Sequence, residues 1–368
     1  MNRLLKVTMS MLLVVATLCF IGCNKADDPY NGGNGNNNGN SGETPEIPAI
    51  VSTSEIQYGG TIIIEAVFDD ESKMYFKVVS PTEVALVSGE FYYFDNPSMA
   101  YLYRGEVVIP ESITHFGTTY SVVSIAMKAF YHNAMVTSVY IPNSVTKIES
   151  IKQTVEHIGK VYFGAFQSCS NLNSIRMSDN IQEFGIKAFH GCPCYQESVI
   201  IPKFVKSIGV NAFDSESVFF YADSCATAGG IENEFFCSAF PNMKSICFGD
   251  NVYVLPEFLC AYTNITMAEV PSSVSRIGYA AYYCCRSLTD ISLPSSICQI
   301  NDYAFYLDEN IADEITTNII CRAVNPPVLG YNVFGARSIQ SIQVPMSSVE
   351  AYKIANGWSQ YANVIVGI

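Results

Sequence analysis

The feature that most constrains this 368-residue chain is an internal repeat. An apolar segment ending in Pro is followed by a turn of the Ile-Gly type and then by Ala next to an aromatic residue. Copies of the Ala-aromatic pair that follow one another directly, at 165, 188 and 212, are 23 or 24 residues apart. A period in this range indicates a solenoid, because one stacked coil takes roughly 20–29 residues.

The residue types within one copy fit a stacked coil. In Leu288-Thr289-Asp290-Ile291-Ser292-Leu293 the alternate apolar side chains of a short strand point inward. A proline such as Pro294 stops the strand because it has no N–H to donate. The small Ala lets one coil approach the next while the ring beside it fills the interior, so stacking supplies the core that a single coil lacks.

Collected together, the copies read approximately Ile-Pro-x-Ser-Val-x-x-Ile-Gly-x-x-Ala-Phe-x-x-Cys-x-x-Leu-x-x-Ile, matched best at 165–175 and 273–291. This phrase resembles the BspA-type leucine-rich repeat family of bacterial surface proteins, from about Gly105 to the C-terminus. The resemblance implies a right-handed, β-rich leucine-rich-repeat solenoid with short irregular or helical convex segments. The ending through Trp358 resembles the helical cap of these proteins, so Trp358 is expected to pack in that cap.

The N-terminus predicts a lipoprotein signal peptide over residues 1–23. Arg3 and Lys6 precede an apolar stretch at 9–21, which is too short to span a membrane. The stretch ends at Cys23 in a sequence that resembles a lipobox, so Cys23 would carry acyl chains that hold the protein to a bilayer. An ordinary secretory signal is the alternative. By resemblance, Asn24 after the cysteine favours an outer-membrane lipoprotein, expected to be surface-exposed.

Four further segments follow the signal peptide. Residues 24–48 form a flexible Gly/Asn tether, because the run 31–42 has no apolar side chain to bury. Residues 49–104 are rich in β-branched and aromatic residues and predict a β-rich N-terminal cap or small domain. The solenoid is expected over 105–344 and the C-terminal cap over 345–368. The repeat is irregular at 149–159, 217–234 and 307–317, where loops are expected.

Charge and cysteine positions exclude several functions. The formal net charge of −14 argues against binding to nucleic acid or to anionic lipid, so membrane contact is expected only through the lipid anchor. Cys169, Cys192 and Cys285 each lie three residues after the ring of an Ala-aromatic pair, which favours packing in the core. They lack the spacing of a metal site, so no metal or cofactor is predicted. The existence of a disulfide stays open.

The resemblance implies binding at the face made by adjacent strands. The residue in the middle of each strand that points to solvent can be read from the pattern. These residues are Val108, Tyr140, Arg176, Ile200, Cys247, Glu269, Ser292, Ile320 and Gln343. The residues predicted to contact a partner are Tyr140, Arg176, Ile200, Glu269, Ser292 and Gln343.

The mixed chemistry of this column favours a protein partner on a host or neighbouring cell, including extracellular matrix. The alternative is glycan capture for nutrient uptake, with Tyr140 and Tyr262 stacking on sugar rings. No enzyme is predicted, because no nucleophile-elbow motif is present and the histidines occupy unrelated repeat positions. These histidines are His115, His132, His157 and His190.

Overall fold

A computed structural model describes residues 45–58, 60–88, 103–155, 159–232, 235–309 and 315–368. The predicted signal peptide, the lipidation site Cys23 and most of the tether lie outside the described residues, as does His157. Within them, no helix combines the length and the apolar character needed to cross a membrane.

The described chain begins with an antiparallel meander. Its strands are β1 (Ile50–Tyr58), β2 (Thr61–Phe68), β3 (Lys73–Ser80) and β4 (Glu83–Val87), each paired with the next. Ile64, Phe68 and Phe76 on one face are almost completely buried, as the alternation of apolar residues predicts. Strand β4 then pairs in parallel with a strand of the repeat region, so the meander continues directly into the repeats.

The repeat region contributes twenty-four more strands to the described chain. In the first half they are β5 (Gly105–Val108), β6 (Ser112–His115), β7 (Thr118–Ile125), β8 (Val136–Tyr140), β9 (Lys147–Ile148), β10 (Ser150–Val155), β11 (Gly159–Gly164), β12 (Ser174–Arg176), β13 (Glu183–Phe184), β14 (Ser198–Ile201), β15 (Ser207–Ile208), β16 (Ser217–Phe220), β17 (Thr227–Glu232) and β18 (Phe235–Ser238). In the second half they are β19 (Ser245–Phe248), β20 (Val254–Leu255), β21 (Met267–Glu269), β22 (Arg276–Ile277), β23 (Asp290–Leu293), β24 (Gln299–Ile300), β25 (Thr316–Cys321), β26 (Val328–Leu329), β27 (Ser338–Val344) and β28 (Ile365–Gly367).

Most of these strands form two parallel ladders, and most coils contribute one strand to each, whereas β6, β10, β11 and β18 pair antiparallel to a neighbour. The first ladder consists of the sheets β5-β8-β12, β14-β16-β19 and β21-β23-β25-β27-β28. The second ladder is built mainly from two-residue strands, in the orders β7-β9-β13-β15-β17 and β20-β22-β24-β26. The inward residues Leu288, Ile291 and Leu293 are at most 1% exposed, so the first-ladder strands close the core as predicted.

A column of stacked rings runs through the core. Phe130, Phe166, Phe189, Phe213 and Phe240 follow one another with centroid separations of 4.6, 4.9, 5.4 and 5.8 Å. The column resumes at Tyr282, Phe305 and Phe334 with separations of 4.9 and 5.9 Å. Between the two runs, Cys260 occupies the position that an aromatic residue has in the other coils. Its N–H donates to the Ala281 carbonyl at 2.7 Å, in the same way as the Tyr282 N–H donates to the Ala304 carbonyl. The Ala-aromatic pairs are therefore the layers of one core.

The repeat cysteines lie in that core. Cys169 and Cys192 are fully buried, and their thiols donate to the carbonyls of Phe130 and Phe166 in the preceding coil at 2.9 and 3.0 Å. The Cys285 thiol donates in the same way to the Cys260 carbonyl at 2.9 Å. Burial with a hydrogen bond to the neighbouring coil explains why a small side chain with a weak donor recurs at this position.

Two irregular segments differ from the loops expected for them. Segment 149–159 contains β10, which forms an antiparallel hairpin with β11. Segment 217–234 is not a loop, because β16 lies in the first ladder between β14 and β19 and β17 lies in the second. In β16, Val218 and Phe220 point inward as in other coils, but no proline follows, so the coil was not recognisable from the repeat phrase.

The glycine of the Ile-Gly turn is required by a close approach between coils. A Cβ at Gly209 would lie 2.4 Å from the backbone nitrogen of Ile186, and one at Gly278 would lie 2.7 Å from the backbone nitrogen of Glu257. Only a residue without a side chain lets the second ladder pass this close to the preceding coil.

We expect Gly209→Ala to destabilise the protein by about 1–3 kcal/mol, because the added methyl group meets backbone that cannot rotate away. The matched control is Gly230→Ala, where the new Cβ meets only the Val210 Cγ2 atom at 3.4 Å. Thermal melting of both variants checks this. Equal melting temperatures for the two variants would contradict the explanation.

The C-terminal segment covers the last coil. It contains a 3-10 turn (Met346–Ser348), α1 (Val349–Ile354), a second 3-10 turn (Ser359–Val364) and β28, which pairs with β27. The Trp358 ring is fully buried against Tyr352 and Phe334, and its Nε1 donates to the Pro327 carbonyl at 2.8 Å. Its ring therefore offers no platform to a ligand.

Candidate functional site: the strand face

The residues predicted to point outward along the first ladder are neighbours in register. Val108 pairs with Tyr140 and Tyr140 with Arg176 in the first sheet. In the third sheet the paired residues are Glu269, Ser292, Ile320, Gln343 and Val366, in that order. We call this row the central column. Its position was predictable because strand side chains alternate with a period of two.

The middle sheet adds a residue that the sequence did not reveal. Ile200 pairs with Phe219 and Phe219 with Cys247, so Phe219 belongs to the central column. Phe219 was not predicted to point outward, because a loop was expected at 217–234 where the structure has β16. The half-exposed Phe219 places an aromatic ring at the middle of the face, between two smaller side chains.

Contacts between neighbouring strands order several side chains of the central column. The guanidinium of Arg176 lies 5.4 Å from the centroid of the Tyr140 ring, a cation–π contact between adjacent strands. Farther along, Nη1 of the exposed Arg322 donates to the Ser292 hydroxyl at 2.8 Å. Ordered aromatic and arginine side chains of this kind are common at the centre of protein interfaces.

A second row of side chains lies two residues before the central column on the same face. It consists of Glu106, Ser138, Ser174, Ser198, Ser217, Ser245, Met267, Asp290, Asn318 and Ser341. The Ser245 hydroxyl donates to that of Ser217 at 2.9 Å, and Ser341 donates to the Asn318 side chain at 3.0 Å. The same period of two would have revealed this row from the sequence. It gives the face a border of short hydrogen-bonding groups.

A cavity of about 520 Å³ adjoins the central column at its N-terminal end. Tyr140 forms one wall. The other lining residues are Ile47, Pro48, Ile50, Pro110, Glu111, Ser112 and Thr114. Because the segment at 47–50 reaches this point, the strand face is concave here.

The described histidines do not assemble a reaction centre on the strand face. His115 is 5% exposed and its Nδ1 lies 3.0 Å from the Thr53 hydroxyl, on the meander side. The His190 Nδ1 lies 2.8 Å from the Asp214 carboxylate, which also accepts the Gly191 N–H. The nearby Cys192 thiol is fully buried, so it is inaccessible to a substrate.

The His190–Asp214 contact has a consequence for pH. The hydrogen bond that His190 donates to the Asp214 carboxylate raises the pKa of His190 against the opposing effect of burial. Burial disfavours the Asp214 anion, but the bonds from His190 and Gly191 outweigh it and lower the pKa of Asp214. The pair therefore stabilises the fold at pH values that lie between the pKa of Asp214 and the pKa of His190. Its contribution is lost as pH rises through the raised pKa of His190, and as pH falls through the lowered pKa of Asp214.

We expect His190→Gln to lower the melting temperature relative to the unmodified chain near about pH 5.5, and to do so less near about pH 9. The effect should be under about 1 kcal/mol, because the His190 side chain is 42% exposed and solvent screens the pair. Melting curves at both values check this. A difference between the two proteins that grows with pH would contradict the assignment.

Among the described residues, no group of three His, Cys, Asp or Glu side chains is arranged to hold a metal ion. The described strands of the face present hydrogen-bonding groups, the Tyr140–Arg176 cation–π pair and apolar side chains.

The stacked coils, the two parallel ladders and the ring column define a solenoid repeat protein. The sequence model of the BspA type leucine rich repeat region matches residues 109–219, 150–257 and 229–356, with six copies of the repeat. The chain belongs to this family, which confirms the resemblance seen in the repeat phrase. The family is a leucine-rich-repeat scaffold.

Several solved structures are distantly similar to the chain. A leucine-rich repeat protein from Bacteroides ovatus ATCC 8483 is 18% identical, with 88% of this chain and 99% of that chain covered and a TM-score of 0.29. A leucine rich cell surface protein from Faecalibacterium prausnitzii A2-165 is 16% identical, with 86% and 94% covered and a TM-score of 0.35. The pneumococcal vaccine antigen PcpA is 16% identical, with 80% and 82% covered and a TM-score of 0.33. No curated protein matches the chain.

Proposed function

We propose that this chain is a non-catalytic cell-surface binding protein that presents its strand face to a protein partner. The observation that carries the proposal is the central column, in which outward side chains of mixed chemistry lie in register within each of three consecutive sheets. The partner is a protein of a host or neighbouring cell, including extracellular matrix proteins.

The chemistry of the face supports a protein partner. Apolar side chains such as Ile200, Phe219 and Ile320 alternate with the Tyr140–Arg176 pair and with polar residues. The serine-rich row beside them supplies short donors and acceptors. An apolar and aromatic centre with a hydrogen-bonding border is the usual composition of protein interfaces.

The glycan alternative has less support on this face. Its strand residues provide the rings of Tyr140 and Phe219, and the Arg176 guanidinium lies over the Tyr140 ring. Tyr262, the second aromatic residue considered for stacking on sugars, is not in the first ladder but in a turn after β20. A row of open ring faces, which sugar stacking requires, is therefore not formed by the described strands of the first ladder.

The proposal includes where and how the solenoid is held. The lipobox-like sequence supports an acylated Cys23, an outer-membrane location and the tether at 24–48, which would carry the folded part away from the bilayer. The right-handed sense of the coil and the division into an N-terminal cap at 49–104 and a C-terminal cap at 345–368 are part of the same proposal.

The test is a direct binding screen. The full chain, purified in detergent, is applied to immobilised extracellular matrix proteins and to a glycan array, alongside the double variant Tyr140→Ser/Arg176→Ser. The matched control is Tyr253→Ser/Arg276→Ser, which removes the same residue types at the second ladder, where Arg276 lies in β22 and Tyr253 precedes β20. We expect a saturable protein hit that only the strand-face variant loses. Binding to glycans alone would move the function to nutrient capture, and no binding to either would contradict the proposal as stated.

A further inference from the structure

A row of aromatic side chains lies on the turn side of the coils, apart from the strand face. Its members are Phe236, Phe258, Tyr262, Tyr279, Tyr283, Tyr303, Tyr306 and Tyr331, which we call the tyrosine stripe. Each ring has a neighbour in the stripe, at centroid separations from 4.6 Å for Phe236–Tyr283 to 6.5 Å for Tyr283–Tyr303. These eight connected rings are not part of the ring column, so packing in the main core does not account for them.

The stripe lies beside the ring column but on the outer side of the turn. Tyr282 and Phe305 are fully buried, whereas the residues that follow them, Tyr283 and Tyr306, remain partly exposed. At the ends of the stripe, Tyr262 is 41% exposed and Tyr331 is 68% exposed. Phe258 is buried and the remaining rings are partly exposed, so the stripe is an apolar patch anchored on a small core of its own, and exposed apolar patches mark interaction sites.

Three tyrosine hydroxyls of the stripe are available to a ligand, whereas those of Tyr262 and Tyr283 are hydrogen-bonded to the Cys284 side chain. Among the described residues, the hydroxyls of Tyr303, Tyr306 and Tyr331 have no hydrogen-bond partner in the protein. None of the three is a buried atom that is cut off from solvent. Burial raises the pKa of Tyr306, and the carboxylates of Asp308 and Glu309 raise it further. The Tyr306 hydroxyl therefore stays neutral at physiological pH and can both donate and accept hydrogen bonds.

The surroundings of the stripe are acidic. Asp302 and Glu257 act electrostatically on Tyr279, and Asp308 acts on Tyr262 together with a single basic residue, Arg286. Asp302 also accepts the Tyr331 N–H at 2.7 Å, which fixes one carboxylate at the end of the stripe. Glu309 acts on Tyr306 as well, so four carboxylates and the Arg286 guanidinium of the described residues lie beside the rings, and this border attracts cations.

A small apolar cavity adjoins the exposed end of the stripe at Tyr262. It has a volume of about 250 Å³. Its other lining residues are Asn211, Phe236, Cys237, Ser238, Pro241 and Ala261. The cavity is large enough for one apolar side chain, so a chain that lies along the stripe can be anchored at this end.

We propose that the tyrosine stripe is a second binding surface, which takes an extended, arginine-bearing peptide segment of a partner protein. Guanidinium groups stack on tyrosine faces and pair with carboxylates, which is the combination that the stripe and its acidic border present. Aromatic-lined grooves also favour extended proline-containing segments. A neutral glycan fits less well, because it has no positive charge to pair with the carboxylates beside the stripe.

The probe is a fluorescein-labelled peptide of repeated Arg-Pro dipeptides, titrated by fluorescence polarisation into the full chain in detergent. Its controls are the same peptide with citrulline in place of arginine, which keeps the shape and removes the charge, and a labelled neutral β-glucan oligosaccharide. We expect saturable binding of the arginine peptide, binding of the citrulline peptide weaker by at least about tenfold, and loss of affinity with added salt.

Two variants locate the site. Tyr262→Ser/Tyr331→Ser removes the two most exposed rings, and Glu257→Gln/Asp308→Asn removes charge and leaves every ring in place. Each double variant should bind the arginine peptide with an affinity lower by about tenfold or more. The control Tyr253→Ser, which replaces an exposed tyrosine away from the stripe, should leave the affinity unchanged. Equal binding by all variants, equal binding of the citrulline peptide, preference for the oligosaccharide, or no binding at all would overturn the proposal. The strand-face variant leaves this site intact, so the two proposals fail independently.

Discussion

Replacing Phe189 with alanine is expected to lower the free energy of unfolding by about 3–5 kcal/mol. Phe189 is fully buried in the ring column, stacked between Phe166 at 4.9 Å and Phe213 at 5.4 Å, with Tyr195 packed edge-on at 5.1 Å. Removing the ring leaves a cavity that neighbouring coils cannot fill, because each is held by backbone hydrogen bonds to the next, such as Phe166 N–H to Ala188 O at 2.9 Å.

Urea unfolding followed by circular dichroism measures this loss, with hydrogen exchange to show which coils open. The control is Phe204→Ala, where the ring is 50% exposed and little should change. We expect exchange in the Phe189 variant to rise first in the coils of Phe166 and Phe213. Similar stability of the two variants would mean that the ring column does not hold neighbouring coils together.

Replacing Arg337 with methionine is expected to lower the free energy of unfolding by roughly 2–6 kcal/mol, because at least two buried carbonyl oxygens lose their hydrogen-bond donor. Arg337 is 5% exposed, and its Nε donates to the Phe305 carbonyl at 2.6 Å. Its Nη1 and Nη2 donate to the carbonyls of Leu288 and Cys285 at 3.0 Å each. One guanidinium thus joins three successive coils near the end of the solenoid.

Thermal and urea unfolding of Arg337→Met measure this effect, and Arg337→Lys separates charge from geometry. A lysine keeps the positive charge but presents one ammonium in place of the planar fork, so we expect an intermediate loss. The control is Arg322→Met, an exposed arginine in the same region. Equal stability of the Arg337 and Arg322 variants would show that the buried guanidinium is dispensable.

Most of the repeat architecture could be predicted because it depends on local pattern. The prolines that end strands, the Ile-Gly turns and the Ala-aromatic pairs each have a fixed physical role in every coil, and the family match confirms the repeat. The coil at β16 was missed because it lacks the proline, and the layer at Cys260 was missed because a thiol stands where other coils have a ring. In both places the packing is kept while the sequence signal is absent.

The candidate site was predictable to the same extent. Residues Tyr140 and Arg176 could be aligned from the period of two, and the structure places them side by side in register. The buried Arg337 and the tyrosine stripe could not be found in this way. Arginine usually lies at the surface, and the stripe joins residues of several coils whose positions relative to the repeat phrase differ, so only the three-dimensional stacking brings them together.

The most direct test of the strand face as the binding surface is an affinity comparison on the protein that the binding screen identifies. Biolayer interferometry with the full chain would compare Tyr140→Ser/Arg176→Ser with Tyr253→Ser/Arg276→Ser. We predict a loss of about tenfold or more for the strand-face variant, as for residues at the centre of an interface, and an unchanged affinity for the control. Unchanged affinity for the strand-face variant, with a loss for the control, would contradict the proposal that the partner binds the strand face.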